Sequence, residues 1–255
     1  MFLSQSFRAS SRVAVVTGGN KGIGYEIVRG LVRSDKFDKV YLTARNENLG
    51  KVAVNTLRLE ESANCIDFHP LDVSNPNSIS TFADFITAKH AGLDVLVQNA
   101  GIAPLPWDSN DQTILEQTIL TFNTNFWGVL NMMKKFEPIT NRDGRIVLLS
   151  SFLSQQAIFD FEPHWMANPI SRKLSSINAT ISIDEIEGLA KQYISDVEND
   201  QSRWPSVDIP SNNYAMTKLF VNNIARIYGY GIHGSLEYIT DLFRTEMANR
   251  GILGK

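Results

Sequence analysis

Short apolar runs alternate with helical segments up to residue 149, and no other feature of the chain limits its possible folds as much. Five of these runs predict strands, at 13–17, 40–43, 65–68, 93–97 and 145–149. Between them, apolar residues recur at helical spacing and predict helices, at 23–32, 46–59, 78–89 and 113–136. Because parallel strands need a crossover connection and a helix usually supplies it, the pattern predicts an α/β fold with a doubly wound parallel sheet and helices on both faces.

The alternation pauses between residues 152 and 213, where no run predicts a strand and four prolines occur. One helix is nevertheless clear, because Ser182 and Glu185 have the spacing of a capping box and an apolar stripe follows them. The stripe consists of Ile183, Ile186, Leu189, Ala190, Tyr193, Ile194 and Val197. The alternation then resumes with a predicted helix at 214–228 and a polar sixth strand at 235–240. We expect a single domain over 1–255 with an ordered helical insertion at about 152–213.

A glycine-rich segment joins the first predicted strand to the first predicted helix, and it reads Thr17-Gly18-Gly19-Asn20-Lys21-Gly22-Ile23-Gly24. Glycines at such a junction let the backbone turn sharply and approach a pyrophosphate closely, at the positive end of a helix. A tight turn alone would also need glycines, but the position between strand and helix favours a nucleotide site. The expected cofactor contacts in this segment are Gly18, Asn20, Lys21, Gly22, Ile23 and Gly24.

The G-x-x-x-G-x-G spacing of this segment resembles that of the short-chain dehydrogenase/reductase family, whose members have the Rossmann fold. Further matches lie in register along the chain: Leu71-Asp72-Val73, Asn99-Ala100-Gly101, Asn125 in the long helix, Ser150-Ser151, and the Y-x-x-x-K motif of Tyr214 and Lys218. One departure is Gln98, which stands where the family usually has Asn. Each motif alone has a simple structural explanation, whereas all of them in register indicate the family.

The resemblance implies a catalytic set of Asn125, Ser151, Tyr214 and Lys218. In the family mechanism, hydride passes from the nicotinamide to a carbonyl carbon, and Tyr214 donates its proton to the developing alkoxide. Ser151 hydrogen-bonds that oxygen and stabilises its charge. The Lys218 ammonium favours the phenolate form of the tyrosine and also holds the nicotinamide ribose. Asn125 anchors a water molecule that links Lys218 to solvent.

The choice of cofactor can be predicted from the end of the second strand. An acidic residue there would bind the ribose 2′-hydroxyl of NAD, but the strand ends in Thr43-Ala44-Arg45. Arg45 can instead pair with a 2′-phosphate, and Lys21 can reach the same group. The alternative is that both are solvated cations. The sequence favours NADP(H), and the resemblance adds Asp72, Val73, Asn99, Tyr214 and Lys218 to the cofactor site, with Asp72 at the adenine.

Within the family, the chain is most similar to the monomeric carbonyl reductases. Its glycine-rich segment has their form, including Asn20 and Lys21. Ser151 and Tyr214 are 214 − 151 = 63 positions apart, and carbonyl reductases carry a helical insertion between these two residues. In many relatives the helices of this region form a tetramer interface, so an insertion that covers it implies a monomer. The implied substrates are small carbonyl compounds, namely aldehydes, ketones or quinones.

Composition and residue types exclude several other functions. The 24 basic and 27 acidic residues give a net charge of −3, which predicts no binding to nucleic acid or to an anionic membrane surface. No apolar stretch approaches the roughly 18–20 residues that a membrane helix needs. The only cysteine, Cys65, cannot form an internal disulfide, and the four histidines show no metal-ligand spacing, so we expect no metal. The Ser-rich start of the chain is too short for a transit peptide, so we expect a cytoplasmic protein.

The resemblance weakens toward the end of the chain. Thr240-Asp241 stands where the family usually has Pro-Gly, and the acidic Asp241 is expected to weaken nicotinamide binding. The chain also ends at Lys255, without the last strand and helix that relatives use to wall the pocket. Two hypotheses therefore stay open: an NADPH-dependent carbonyl reductase, or a catalytically weak or inactive NADP(H)-binding relative with a regulatory role. A sugar-nucleotide epimerase is disfavoured, because that branch usually carries G-x-x-G-x-x-G.

Overall fold

The computed structural model of the chain describes residues 11–104, 112–154, 170, 173–174, 181–201, 204 and 212–229. These residues group into two units. The first unit comprises the described residues of Met1–Asn99 and Met132–Ile146, and the second comprises those of Ala100–Asn131 and Val147–Lys255. That the whole chain forms one domain stays a prediction.

The strands form one sheet with the order β3-β2-β1-β4-β5. Their bounds are β1 Val13–Val16, β2 Lys39–Ala44, β3 Ile66–Pro70, β4 Leu93–Gln98 and β5 Thr140–Leu148. β1 runs parallel to both β2 and β4, and β2 runs parallel to β3. The strand order reverses at β1, which is the arrangement of a doubly wound sheet and confirms the predicted fold class. The sixth strand predicted at 235–240 lies outside the described residues.

Three helices alternate with the first four strands, as predicted: α1 Gly22–Arg33, α2 Glu47–Glu61 and α3 Pro76–Lys89. Local sequence explains where two of them begin. The Asn46 side chain accepts a hydrogen bond from a first-turn amide of α2, and Asn75 does the same for α3, where Pro76 also stands at the start. Every residue of β1 is fully buried, as expected for a central strand of a parallel sheet.

The single helix predicted at 113–136 is interrupted in the structure. Its segments are α4 Ile114–Phe122, a π-helical turn at Asn123–Trp127, and α5 Gly128–Phe136. A π turn contains one more residue than an α turn and shifts the side chains that follow around the helix axis. Apolar periodicity does not reveal such a turn. Here the π turn contains Asn125, one of the predicted catalytic residues.

The predicted insertion helix is present as α6 Ile183–Glu198, and the helix of the Y-x-x-x-K motif is α7 Asn212–Gly229. The capping box of α6 is confirmed, because the side chains of Ser182 and Glu185 each bind the other residue's backbone amide. The apolar stripe packs on α4 and α7 through a cluster of aromatic rings. The ring centroid of Tyr193 lies 5.0 Å from that of Phe122, which in turn lies 5.7 Å from that of Phe220.

Candidate active site

The segments predicted to bind the cofactor follow four neighbouring strands of the first unit. Gly18 follows β1, Arg45 follows β2, Asp72 follows β3 and Asn99 follows β4. Because these strands are parallel, their carboxyl ends lie at the same edge of the sheet. In an open α/β sheet this edge, at the strand where the order reverses, is where ligands bind.

The glycine-rich segment has a backbone that only glycine adopts readily at two positions. Gly18 has a φ of 64° and Gly22 a φ of 57°, both in the left-handed region. Gly24 is required for a different reason, namely close packing. A Cβ atom on Gly24 would lie 2.4 Å from the Asn99 amide nitrogen and 2.5 Å from the Gly18 carbonyl oxygen. The segment is therefore held against the end of β4 with no room for a side chain.

Asn99 holds the glycine-rich segment in place through its side chain. Its Nδ2 donates to the carbonyl oxygen of Thr17 at 2.9 Å and to that of Gly18 at 3.1 Å. Its backbone amide also donates to the Thr17 hydroxyl at 3.0 Å. Asn99 was predicted as a cofactor contact, and in the structure its side chain amide serves the loop itself. That Asn99 contacts the cofactor stays a prediction.

The start of α1 and the side chains around it fit a phosphorylated dinucleotide. No side chain caps the first turn of α1, so its backbone amides remain available for an anion. Lys21 at the N-cap is exposed, and so is Ile23 one residue into the helix. Arg45 is also exposed, and within the described ranges its guanidinium has no hydrogen-bond or ion-pair partner. The exposed cations of Lys21 and Arg45, together with the uncapped first turn of α1, suit the phosphates of NADP(H).

Asp72 and Val73 differ in what they can offer a cofactor. The Asp72 Oδ1 accepts from the Ser74 amide at 3.0 Å and from the Ser74 hydroxyl at 2.6 Å, which fixes the carboxylate. The Val73 side chain is 8 % exposed and belongs to the core. Its contact with the cofactor stays a prediction.

All four residues of the predicted catalytic set lie in the second unit. Tyr214 stands near the start of α7, and Ser151 follows the end of β5. The Ser151 hydroxyl lies close enough to the Tyr214 phenol to lower the pKa of that phenol. Burial raises the pKa of Tyr214, and the Ser151 hydroxyl partly opposes this. At neutral pH the phenol is therefore protonated and able to donate.

Lys218 lies one helical turn after Tyr214 and is 5 % exposed. Its Nζ donates to the carbonyl oxygen of Leu149 at 2.7 Å and lies 5.5 Å from the centre of the Tyr214 ring. Burial lowers the pKa of Lys218 to about 8. The structure thus brings the predicted amine and phenol together on one helix face.

Asn125 is fully buried in the π turn, and its amide is engaged by protein groups. Its Oδ1 accepts from the Ile102 amide at 2.8 Å, and its Nδ2 donates to the Ile102 carbonyl oxygen at 2.8 Å. The same Nδ2 also donates to the Thr217 hydroxyl at 3.1 Å. A Cβ on Gly101 would lie 3.3 Å from Asn125 Oδ1 and 3.7 Å from Lys218 Nζ. The water molecule expected between Asn125 and Lys218 stays a prediction.

Two residues that the motif analysis missed hold the turn after Ser151. The Ser154 hydroxyl donates to the Ser151 carbonyl oxygen at 2.5 Å and accepts from Asn222 Nδ2 at 2.9 Å. Asn222 lies one turn after Lys218 on α7, so this pair connects the Ser151 turn to the helix of Tyr214. No sequence signal marks either residue, because the contact joins segments 68 positions apart.

The remaining observations concern Trp204, the end of the chain, metal sites and membrane helices. The ring centroid of Trp204 lies 5.1 Å from that of Tyr193, and Trp204 Nε1 donates to Asp196 Oδ2 at 2.8 Å. Thr240 and Asp241 lie outside the described residues. Within the part of the chain that the structure describes, no His, Cys, Asp and Glu side chains cluster as a metal site. No helix of that part combines the length and the apolar character needed to cross a bilayer.

Comparisons with known proteins agree with this geometry. The family model described as short chain dehydrogenase matches residues 12–163. NADPH carbonyl reductase 1 of Rattus norvegicus is 38% identical over 219 residues, which are 85% of this chain and 73% of that protein. The corresponding protein of Mus musculus is 37% identical over 224 residues, with 86% and 74% covered. The solved structure of menthone neomenthol reductase from Mentha piperita has a TM-score of 0.73 at 25% identity and covers 87% of this chain and 86% of its own.

Proposed function

The chain belongs to the short-chain dehydrogenase/reductase family, and from that premise we propose that it is an NADPH-dependent carbonyl reductase. Its substrates would be aldehydes and ketones, which it reduces to alcohols, or quinones, which it reduces to hydroquinones. The observation that carries the proposal is that the Ser151 hydroxyl and the Lys218 ammonium both lie beside the Tyr214 phenol, within the second unit. Similarity to carbonyl reductases over 85% of the chain supports the same substrate class.

NADPH, when bound, supplies a hydride to the carbonyl carbon. The residues that would hold it are those of the glycine-rich segment together with Arg45, Asp72 and Val73. Tyr214 completes the reduction by donating its phenolic proton to the carbonyl oxygen, which becomes the hydroxyl of the alcohol. The Ser151 hydroxyl stabilises the negative charge that develops on that oxygen. The Lys218 ammonium stabilises the phenolate that Tyr214 becomes.

Steady-state oxidation of NADPH with a panel of aldehydes, ketones and quinones tests the proposal directly. Turnover of at least one class is the expected result. Normal NADPH binding with no turnover of any class would favour the alternative of an inactive relative. No feature of the described residues favours that alternative, because the four predicted catalytic residues are all present and buried or half-buried.

We also propose that the protein acts as a monomer in the cytoplasm. In the second unit, α6 packs on α4 and α7, the region that many relatives use for a tetramer interface. Sedimentation of the purified chain tests this, and a tetramer would contradict it.

Replacement of Arg45 by Asp is expected to change the cofactor preference from NADPH to NADH. The new carboxylate would repel the 2′-phosphate and could accept a hydrogen bond from a ribose 2′-hydroxyl. Loss of the charge-assisted contact should lower NADPH affinity about 100-fold. The measurement is the ratio of kcat/KM for the two cofactors. The control is Arg33→Asp at the end of α1, where the arginine pairs with Glu61 of α2. An unchanged ratio in Arg45→Asp would remove Arg45 from the cofactor site.

The pH dependence of reduction should follow Lys218. Its pKa is lowered to about 8, so the ammonium is lost as the pH rises through that value, and kcat/KM should fall there. The deprotonation of Lys218 does not produce this fall by unfolding the protein. The unfolded chain keeps the Lys218 proton up to about pH 10.5, so the contribution of this group to the free energy of unfolding rises between about 8 and 10.5. A kcat/KM that stays constant well above pH 8 would contradict this role.

A further inference from the structure

The hydroxyl of Thr217 connects the π turn to the helix of the reactive groups. Thr217 is fully buried and lies on α7 immediately before Lys218. Its hydroxyl accepts from Asn125 Nδ2 at 3.1 Å and donates to the Tyr214 carbonyl oxygen at 2.8 Å. The bond from Asn125 to Thr217 thus joins residues that are 92 positions apart in the chain. The Y-x-x-x-K motif leaves this position unspecified.

Three groups, namely the Ile102 backbone, the Asn125 amide and the Thr217 hydroxyl, are linked in series by hydrogen bonds, and each bond fixes the direction of the next. Both the amide and the carbonyl of Ile102 bind the Asn125 side chain at 2.8 Å. Only one orientation of the Asn125 amide makes both of these bonds. The flipped amide would place its NH2 group against the Ile102 N–H and its oxygen against the Ile102 carbonyl oxygen. The second N–H of Nδ2 must therefore point at Thr217. The Thr217 oxygen accepts it, which directs its own proton to the Tyr214 carbonyl.

Removal of the Thr217 hydroxyl would leave a buried Asn125 N–H without an acceptor. A buried donor in that situation either shifts toward another acceptor or draws in water. The Asn125 amide and Lys218 Nζ are close neighbours, because a Cβ on Gly101 would lie 3.3 Å from Asn125 Oδ1 and 3.7 Å from Lys218 Nζ. We therefore expect either response to change the surroundings of Lys218. The same loss frees the Tyr214 carbonyl at the start of α7 from one of its contacts.

We propose that Thr217 is a positioning residue for carbonyl reduction. It holds the Asn125 side chain and the first turn of α7 in place beside Lys218. The inference rests on the proposed reductase function. Thr217 is fully buried and its hydroxyl is engaged by Asn125 and Tyr214, so its effect is exerted through the Tyr214 and Lys218 side chains. A misplacement of this kind lowers the rate of the chemical step and leaves cofactor binding intact.

The test compares Thr217→Val, which removes the hydroxyl at constant shape, with Thr217→Ser, which keeps it. Thr217→Val should lower kcat about 10- to 100-fold, with NADPH affinity within about twofold of the original. It should also move the alkaline fall of kcat/KM to higher pH, because water that reaches Lys218 raises its pKa toward the ordinary value. Thr217→Ser should restore most of kcat and the original pH profile.

Thr121→Val is the matched control. Thr121 is fully buried on α4, and its hydroxyl donates to the Gln117 carbonyl oxygen at 2.7 Å. Thr121→Val therefore loses the same kind of side-chain bond to a helix carbonyl. Because the Thr121 hydroxyl makes no hydrogen bond to Asn125, kcat and the pH profile should not change. If Thr217→Val does not fold, Thr217→Ala and Thr217→Ser form the substitute pair, since they differ from each other only in the hydroxyl.

The outcomes separate this inference from the function on which it rests. A Thr217→Val variant with the original kcat and pH profile overturns the inference alone, and so does a Thr217→Ser variant as slow as Thr217→Val. An original chain that oxidises no NADPH with any carbonyl compound overturns both. A double-mutant cycle with Asn125→Ala, measured as the free energy of unfolding, should show coupling between the two residues. Additive effects would also contradict the inference.

Discussion

Replacement of Tyr214 by Phe is expected to lower kcat for carbonyl reduction about 1,000-fold, because no other group donates the proton as the alkoxide forms. The ring, its packing and the helix are unchanged by this substitution. NADPH affinity should therefore stay within about twofold of the original. Steady-state NADPH oxidation gives the first quantity, and quenching of protein fluorescence by NADPH gives the second.

Tyr41→Phe is the matched control for this prediction. Tyr41 is 1 % exposed on β2, and its hydroxyl lies 2.9 Å from His90 Nε2, so it is also a buried and hydrogen-bonded tyrosine. Its loss should cost about 1 kcal/mol of stability and leave kcat unchanged. If Tyr214→Phe kept a substantial fraction of the original kcat, another residue would have to be the proton donor.

Replacement of Gly24 by Ala should impair both cofactor binding and folding. The new Cβ would overlap the Asn99 amide at 2.4 Å and the Gly18 carbonyl at 2.5 Å, and neither the backbone nor the held Asn99 can move away freely. We expect the free energy of unfolding to fall by about 2 kcal/mol. Because the displaced segment is the one proposed to bind the pyrophosphate, the Kd for NADPH should rise about 100-fold.

Gly30→Ala provides the control on the same helix. Outside the backbone of α1 itself, no atom of the described residues lies within 4 Å of a Cβ at Gly30, and the Gly30 backbone is helical. The substitution should stabilise the protein by up to about 1 kcal/mol and leave NADPH binding unchanged. Denaturant unfolding and an NADPH titration of both variants give the comparison. Equal NADPH affinity in Gly24→Ala and Gly30→Ala would show that the glycine-rich segment is not the cofactor site.

The elements that were predicted best are those in which local chemistry and burial agree. The start of α6 depends on a capping box between Ser182 and Glu185, and both of its hydrogen bonds are present. The strand β1 reads as apolar on both faces and is fully buried on both. In such segments the neighbours along the chain contain enough information to choose the conformation.

The π turn is an element that the local sequence does not predict. Apolar periodicity over 113–136 predicts one regular helix, and the structure has an extra residue in the turn at Asn123–Trp127. The Asn125 side chain in that turn binds the backbone of Ile102, which is 23 positions away. A conformation that depends on a distant backbone segment cannot be read from local spacing.

The motifs of the site were visible in the sequence, but several of the groups that hold them were not. The supporting partners of the reactive residues are a hydroxyl inside the Y-x-x-x-K motif, the Ser154 and Asn222 side chains, and the carbonyl oxygen of Leu149. Backbone carbonyls have no sequence signature, and a serine or asparagine is common at exposed positions. Only burial makes their hydrogen bonds specific.

The amino-acid sequence alone determined the fold class, the order of the described strands and the family, and it predicted which residues transfer a proton or bind a phosphate. It could do so because strand and helix periods, caps and glycine turns are properties of neighbouring residues. The tertiary structure decided the ionisation and orientation of those residues. Lys218 has a pKa lowered to about 8, and Asn125 has a fixed amide orientation, because segments distant in the chain exclude water around them and supply their hydrogen-bond partners.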